Sequence, residues 1–309
     1  MTKTILRIAT RKSPLALWQA HHVREKLLQY WPALHIELIP MVTSGDKFLS
    51  TPLSATGGKG LFVKELEDAL LDNRADLAVH SMKDVPALFP TGLGLAAICT
   101  RENPFDALVS ETNKKLADLP MGALIGTASL RRQSQLLAAR PDLQVKTLRG
   151  NVQTRLAKLN SGEYDAIVLA VAGLWRLSMH ASITEILPTN IMLPACGQGA
   201  LGIECRMDDE RLKQYIAPLN DPISALCVNT ERYVNARLGG NCHVPLAVYC
   251  TLSAHSQLLL QAKIASLDGK IVISNSQHGH PQEAIQIAEQ CAIALLASGA
   301  DDLLAAALS

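Results

Sequence analysis

No pair of cysteines in this chain has the Cys-x-x-Cys spacing, and the seven cysteines are odd in number. A secreted disulfide scaffold is shorter and normally has an even count, so the thiols point to a reducing compartment. Neither they nor the nine histidines fall at zinc-ligand spacing, and no metal site is expected. His278 and His280 read as a solvated turn. An excess of one charge is also missing: 29 Lys and Arg oppose 28 Asp and Glu, a formal charge of +1. That balance gives no global reason to bind nucleic acid or an anionic membrane. Long apolar runs are absent too. Residues 166–175 span about half of the roughly 20 residues a membrane helix needs, and residues 1–10 lack the apolar stretch of a secretory signal. A soluble cytoplasmic protein is expected. What is present is an apolar fraction of 48% over 309 residues. This excludes intrinsic disorder and is enough for two or three domains with cores that need no staples.

Short apolar runs alternate with helical patterns. Residues 6–9, 36–41 and 77–79 read as strands, and so do 123–126, 145–148 and 166–169. Residues 61–71, 130–139 and 152–159 read as helices, as does a segment capped by Ser13 and opened by Pro14, with Leu15, Trp18 and Leu28 on its buried face. The alternation predicts α/β layers around mainly parallel sheets. Two stretches repeat at a nearly constant offset: residues 60–66 align with 150–156, and 76–79 with 165–168. Two distant copies, and a cleft between them, are the expectation; periodicity imposed by α/β layering is the alternative. Polar or Pro/Gly-rich junctions fall at 100–104, 194–202 and 217–222. The last part has a predicted hairpin around Asp268-Gly269 and a helix at 284–296, a small α+β unit.

The near-neutral total hides an uneven distribution. Residues 121–180 hold eight basic and three acidic residues, a net +5, whereas 218–309 hold four and seven, a net −3. Arg131 and Arg132 open a helix behind Thr127-Ala128-Ser129, and Arg149 follows a strand and precedes Gly150. Cations at a helix start oppose the helix dipole, so helix stability does not account for them and a polyanionic ligand would. In the first region Thr10-Arg11-Lys12-Ser13 and His80-Ser81-Met82-Lys83-Asp84 also follow strands, where open α/β sheets bind ligands. Asp84 is the one acid there, suited to holding a developing cation or moving a proton, unless it is an ordinary surface partner of Lys83. Gly57-Gly58-Lys59-Gly60 lacks phosphate-loop spacing. Gly197-Gln198-Gly199-Ala200-Leu201-Gly202 matches the dinucleotide fingerprint formally, but Ile203-Glu204-Cys205 after it reads as strand, not helix. Six cysteines have apolar neighbours and read as packing residues. Cys242, in Gly239-Gly240-Asn241-Cys242-His243, lies in a loop-like stretch that would leave its sulfur accessible.

Taken in order, these segments resemble the porphobilinogen deaminase (hydroxymethylbilane synthase) family along nearly the whole chain. Residues 7–16, 57–62, 79–86, 127–132, 148–151 and 193–199 carry the likeness. It implies two periplasmic-binding-protein-like lobes with a double crossover, residues 1–99 with 200–217 and residues 100–199, and a C-terminal α+β domain at 218–309. It implies a transferase of tetrapyrrole (haem) biosynthesis that condenses four porphobilinogen molecules into linear hydroxymethylbilane with loss of ammonia. A covalent dipyrromethane cofactor would be anchored by a thioether to Cys242. Asp84 would be catalytic; Lys83, Thr127, Ser129, Arg131, Arg132 and Arg155 would hold the cofactor; Arg11, Ser13, Ser81, Arg149, Arg176 and Phe62 would bind substrate. A monomer is implied. Residue chemistry fits, since each porphobilinogen brings an acetate and a propionate and a growing chain needs several cations. Phe62 reads equally well as core. Asn241 stands where the family commonly has glycine, and Ala55 where bacterial relatives often have lysine, which leaves loop electrostatics open. Two rivals remain at this point: a two-lobed protein that binds a small polyanion reversibly, and an acyl-transfer enzyme using Cys242 and His243.

Overall fold

The computed structural model describes residues 5–47, 62–239 and 244–308. The chain opens with β1 (Ile5–Arg11), α1 (Pro14–Tyr30), β2 (His35–Met41), α2 (Ser44–Lys47), α3 (Lys64–Leu71), β3 (Leu77–Ser81) and β4 (Leu93–Ile98). It then builds β5 (Asp106–Ser110), β6 (Leu124–Gly126), α4 (Leu130–Ala139), β7 (Gln144–Lys146), α5 (Val152–Asn160), β8 (Ala166–Ala170), α6 (Val171–Arg176) and β9 (Glu185–Ile186). The remainder is β10 (Leu201–Arg206), α7 (Glu210–Ile216), α8 (Pro222–Arg237), β11 (Leu246–Leu252), β12 (Leu258–Ala265), β13 (Val272–Gly279), α9 (Ala284–Ala297) and α10 (Ala300–Leu308). Two compact units result, Met1–Glu102 with Ala200–Ala225, and Asn103–Gly199 with Leu226–Ser309.

The first unit holds a five-stranded sheet in the order β2-β1-β3-β10-β4; the second holds one in the order β7-β6-β8-β5-β9 and the antiparallel sheet β11-β12-β13. The two five-stranded sheets share one plan. The first strand pairs in parallel with its two neighbours, β1 with β2 and β3, β6 with β7 and β8. The strand that follows a crossing of the chain, β10 or β5, is antiparallel to both of its neighbours. In each sheet four of the five strands therefore run the same way, as the expectation of mainly parallel sheets has it, and one, β10 or β5, runs against them. Residue periodicity reports which face is buried, and it is blind to strand direction.

The repeat at 76–79 and 165–168 falls on equivalent strands, β3 and β8, and extends to hydrogen bonding. Asp76 Oδ2 accepts from Arg7 N at 2.7 Å, and Asp165 Oδ2 from Leu124 N at 2.7 Å. The N–H of each acid returns to the carbonyl of the same residue, both at 2.9 Å. Residues 60 and 61 of the other repeated stretch lie outside the described residues.

Alternation along the strands buries both faces of each sheet. Ile8, Leu77 and Val79 meet Ala20, Val23 and Leu27 of α1, while Ala9 and Ala78 meet Leu66, Ala69 and Leu70 of α3. In the second unit Leu108, Ile125 and Val168 meet Leu136 of α4, and Ala107, Ile167 and Leu169 meet Leu159 and Leu174. Pro14 opens α1 and the Ser13 side chain caps it by accepting from Ala16 N, as expected. The buried stripe of α1, however, is Gln19, Ala20, Val23 and Leu27; Leu15, Trp18 and Leu28 lie at its flanks, half-buried.

The Asp268-Gly269 turn joins β12 to β13, and Gly269 takes a left-handed φ of 73° there. His278 is a strand residue, and His280 caps the short turn Pro281–Glu283 in a reciprocal box with Glu283, so the pair is not a free turn. Helices α9 and α10 bury Ile287, Cys291, Leu295, Leu303 and Leu304 among residues of β11 and β12. Among the described residues no single helix is long and apolar enough to cross a membrane. Of the cysteines described, Cys205, Cys227, Cys250 and Cys291 are buried. Burial pushes the Cys205 thiol up to about 11 and the Cys291 thiol up to about 12, which suits packing and not reactivity.

Candidate active site

In the first unit the ends of β1 and β3 and the start of α1 line one pocket with Arg11, Ser13, Gln19, Phe62, His80, Ser81 and Asp84. Each side chain has a local reason for its place. Thr10 is fully buried and its hydroxyl donates to the Ala16 carbonyl at 3.1 Å, which ties the end of β1 to the first turn of α1. Arg11, one residue on, lies with its guanidinium carbon 4.3 Å from the Phe62 ring centroid, a cation–π contact. Ser81 ends β3, and its hydroxyl accepts from Gln19 Nε2 at 2.8 Å. Gln19 is buried for that purpose, which accounts for the shifted stripe of α1. The next three residues, Met82–Asp84, form a 3₁₀ turn. Met82 anchors it: its side chain is buried and its N–H donates to the Ala200 carbonyl at 3.0 Å. A Cβ at Gly202 would come within 2.3 Å of Met82 Sδ, so a larger residue on the neighbouring strand would displace the Met82 side chain. Lys83 and Asp84 are held, half-buried, on this anchored turn.

Around His80, one of the residues lining the same pocket, lies a polar cluster that the sequence reading above does not include. His80 Nε2 is 2.8 Å from Glu204 Oε2, and both residues are buried. Glu67 of α3 is buried as well, and its carboxyl is pushed up to about 7, by burial first and by Glu204 second, against an opposing pull from His80. An acid inside the apolar run of β10 was the available signal.

In the second unit the predicted cations form two groups. Arg131 and Arg132 are buried at the start of α4, 4% and 5% exposed. Arg131 Nη1 lies 2.8 Å from Asp106 Oδ2 and donates to the Leu193 carbonyl at 2.7 Å. Arg132 donates to Asp106 Oδ1 from Nη2 at 2.7 Å and from Nε at 3.0 Å, and to the Val168 carbonyl from Nη1 at 2.8 Å. Burial lowers the Arg131 pKa, with Asp106 opposing and Arg132 adding to the shift. The inference that only a polyanion accounts for this pair is therefore corrected: Asp106, the fully buried first residue of β5, supplies an internal counter-charge. One acid against two cations still leaves one positive charge in excess. Gln198 Nε2 joins the cluster, donating to Asp106 Oδ1 at 3.1 Å and to the Pro104 carbonyl at 2.7 Å.

The second group surrounds the start of α5. Asn151 caps the helix by accepting from Thr154 N at 2.8 Å. Gly150 has a φ of +116°, and a Cβ there would meet the Thr154 side chain at 2.7 Å, so the turn after Arg149 requires glycine. Arg155 Nε donates to the Gly150 carbonyl at 2.8 Å. Arg149 is half-buried, and burial alone lowers its pKa. Arg176 is buried in α6 and donates to the Gly199 carbonyl. Thr127 is buried, and its hydroxyl accepts from Ser129 N at 3.2 Å. Ser129 stands at the start of α4, but its side chain makes no capping bond. Cys242, Asn241, Ala55 and residues 57–61 lie outside the described residues.

Two family models match this sequence. "Porphobilinogen deaminase, dipyromethane cofactor binding domain" covers residues 6–214, and "Porphobilinogen deaminase, C-terminal domain" covers residues 225–297. The chain belongs to the porphobilinogen deaminase family. Porphobilinogen deaminases of Legionella pneumophila strains Lens and Paris are each 63% identical to it over 304 residues, 98% of this chain and 98% of each relative. Solved structures overlap it in part. The periplasmic aliphatic sulphonate binding protein SsuA from Escherichia coli is 16% identical, with a TM-score of 0.41, over 76% of this chain and 70% of that one. A TRAP periplasmic solute binding protein from Desulfovibrio salexigens is 11% identical, with a TM-score of 0.45, over 71% of this chain and 73% of that one. The sheet orders, not these partial overlaps, establish the two α/β lobes and the separate C-terminal sheet. A porphobilinogen deaminase carries a dipyrromethane, whose rings bear carboxylates. Arg149, whose pKa burial lowers, and the excess charge of the Arg131–Asp106–Arg132 group fit such an occupant.

Proposed function

We propose that Asp84 is the catalytic group of this porphobilinogen deaminase and that the first-unit pocket takes porphobilinogen. The family is one of transferases that join four porphobilinogen molecules into linear hydroxymethylbilane. In each addition the bond from the aminomethyl carbon to nitrogen breaks and ammonia leaves. A bond forms from that carbon to a pyrrole α-carbon, whose proton is released. The observation that carries the assignment is the pocket itself, which brings Asp84 together with Arg11, Ser13 and Ser81 at the ends of two parallel strands.

In this reading the Arg11 guanidinium and the Ser13 and Ser81 hydroxyls bind substrate carboxylates. Phe62 holds Arg11 in place and lines the pocket. Asp84 in its protonated form passes its proton to the leaving amine, and the carboxylate this leaves stabilises the positive charge that develops near the pyrrole nitrogen as ammonia departs. Lys83, Thr127, Ser129, Arg131, Arg132 and Arg155 hold the cofactor, which is anchored on Cys242 and supplies the first nucleophilic pyrrole carbon. Arg149 and Arg176 bind the carboxylates of added rings. Three domains divided near residues 99, 199 and 217, a monomeric state and a cytoplasmic location complete the proposal; neither nucleic acid nor a membrane takes part.

Intact-mass measurement tests it first. The purified protein should exceed its sequence mass by one dipyrromethane, and Cys242→Ser should lack that increment. Incubation with porphobilinogen should release ammonia and a linear tetrapyrrole. An unmodified, fully active wild type would remove the attachment, and reversible binding without ammonia would favour a plain anion-binding protein.

A further inference from the structure

His80, Glu204 and Glu67 have no part in the roles assigned above, yet His80 lines the pocket, Glu204 pairs across the sheet with Ala78 two residues before it, and Glu67 is buried on α3 next to Leu66, another lining residue. The Nε2 of His80 meets Glu204 Oε2. Glu67 projects from α3, which packs against β1, β3, β4 and β10. Glu67 Oε1 and Glu204 Oε1 are buried and have no hydrogen-bond partner among the described residues. Two carboxyl groups so placed resist ionising together, because burial and the first negative charge both oppose the second.

The surrounding charges are largely engaged elsewhere. On α3, Glu65 accepts from Ser44 N and Oγ, and Asp68 adds a weak repulsion to Glu67. On β1, Arg7 is paired with Asp76 and Arg11 lies over Phe62. On β10, Arg206 donates to the Leu70 and Ala75 carbonyls and lies near Asp76 and Asp209. Strand β4 has no ionisable side chain, and β3 has only His80. Lys83 and Asp84 lie on the turn beyond β3.

We propose that Glu67, through Glu204 and His80, sets the affinity of the first-unit pocket for the carboxylates of porphobilinogen. While Glu67 keeps its proton, the wall behind Arg11 carries no added negative charge. When the proton is lost, a second carboxylate charge appears behind a pocket that must hold an anion, and substrate binds less tightly. Glu67 is thus a positioning residue that acts through the field at the wall, not a group in contact with substrate. Its charge acts on bound substrate and transition state alike, so KM moves and kcat does not. The inference rests on the reading that this pocket takes the substrate.

The test is the pH dependence of kcat and KM for porphobilinogen between pH 6 and 9, measured on the cofactor-loaded enzyme. Wild-type KM should rise several-fold, on the order of three- to tenfold for one uncompensated charge nearby, with kcat following its own profile. Glu67→Gln, an uncharged match for the protonated side chain, should abolish that rise and leave kcat unchanged. Glu204→Gln should move the rise to lower pH, because it removes the neighbouring charge. Carbon-13 titration of the Glu67 carboxyl in the wild type should give a midpoint near 7, whether or not the variants fold well. A midpoint below 5, or identical KM profiles for wild type and Glu67→Gln, would overturn the inference. Arg11→Ala separates it from its premise. If Arg11→Ala leaves KM unchanged, the pocket is not the substrate site; if it raises KM at every pH while Glu67→Gln changes nothing, only the Glu67 inference fails.

Discussion

Asp106 Oδ1 accepts two hydrogen bonds from the same guanidinium, from Arg132 Nη2 at 2.7 Å and from Nε at 3.0 Å. The carboxylate is fully buried and its other oxygen faces Arg131. Removing it would leave two buried cations without their shared counter-ion. Asp106→Asn should lower unfolding stability by about 3–5 kcal/mol, the usual cost of breaking a buried ion pair on one side. Urea unfolding of the cofactor-loaded protein checks this; a loss below about 1 kcal/mol would mean that the two arginines find compensation elsewhere.

Asp84→Asn preserves shape and removes the negative charge. It should leave secondary structure and unfolding midpoint essentially unchanged while turnover falls by about 10²- to 10⁴-fold, the range for loss of a positioned acid–base group. Ammonia release under saturating porphobilinogen is the measurement. Turnover within a factor of three of wild type would remove Asp84 from the chemistry.

Arg149→Ala should act on chain growth and not on the fold. Its guanidinium pKa is lowered by burial alone, with no carboxylate contributing, so its loss should change stability by less than about 1 kcal/mol. With its clamp gone, shorter adducts than in wild type should accumulate when porphobilinogen is supplied in limited amounts. Mass spectrometry of the intact protein resolves them ring by ring; an unchanged distribution would contradict the clamp.

Glu67 should also be visible in stability. Its folded pKa lies near 7, above the ordinary 4.5, so the folded state binds this proton more tightly than the unfolded chain does. Stability from this group is full below about pH 4.5, falls as pH rises towards 7 and is flat above. Glu67→Gln escapes the loss. Its advantage over wild type should therefore grow between pH 5 and pH 8, by on the order of 2 kcal/mol. Paired urea titrations at the two pH values give the difference, and an equal offset at both would refute the raised pKa.

Much of this architecture could be read from residue order because burial imposes a period. Helix α4 is expected at 130–139 and spans those residues, although the Ser129 side chain before it makes no capping bond. The direction of β5 and β10 was not legible, because an apolar run buried on both faces looks the same in either sense. Asp106 escaped notice for another reason: its partner Arg132 is 26 residues away, and sequence spacing does not reveal which buried charges will meet. Gln19 was hidden by its own chemistry. A polar residue on a helix reads as solvent-facing until a partner such as the Ser81 hydroxyl is known. The first-unit pocket was legible residue by residue, in Arg11, Ser13, Ser81 and Asp84. The wall behind it was not, because Glu67, His80 and Glu204 come from three elements spread over much of the chain.

The position of β10 has a bearing on how the chain is made. It lies between β3 and β4, and among the described residues β4 pairs with no other strand of its sheet. A ribosome has therefore to deliver residues up to Arg206 before the sheet that begins at Ile5 is whole, whereas the sheet from Asp106 onward has all its strands once Ile186 has emerged. Domains generally form as units in the order of their synthesis. Here the five-stranded sheet whose sequence comes first is the one completed later, and until then its unpaired strand edges are an opportunity for chaperones and a hazard for aggregation.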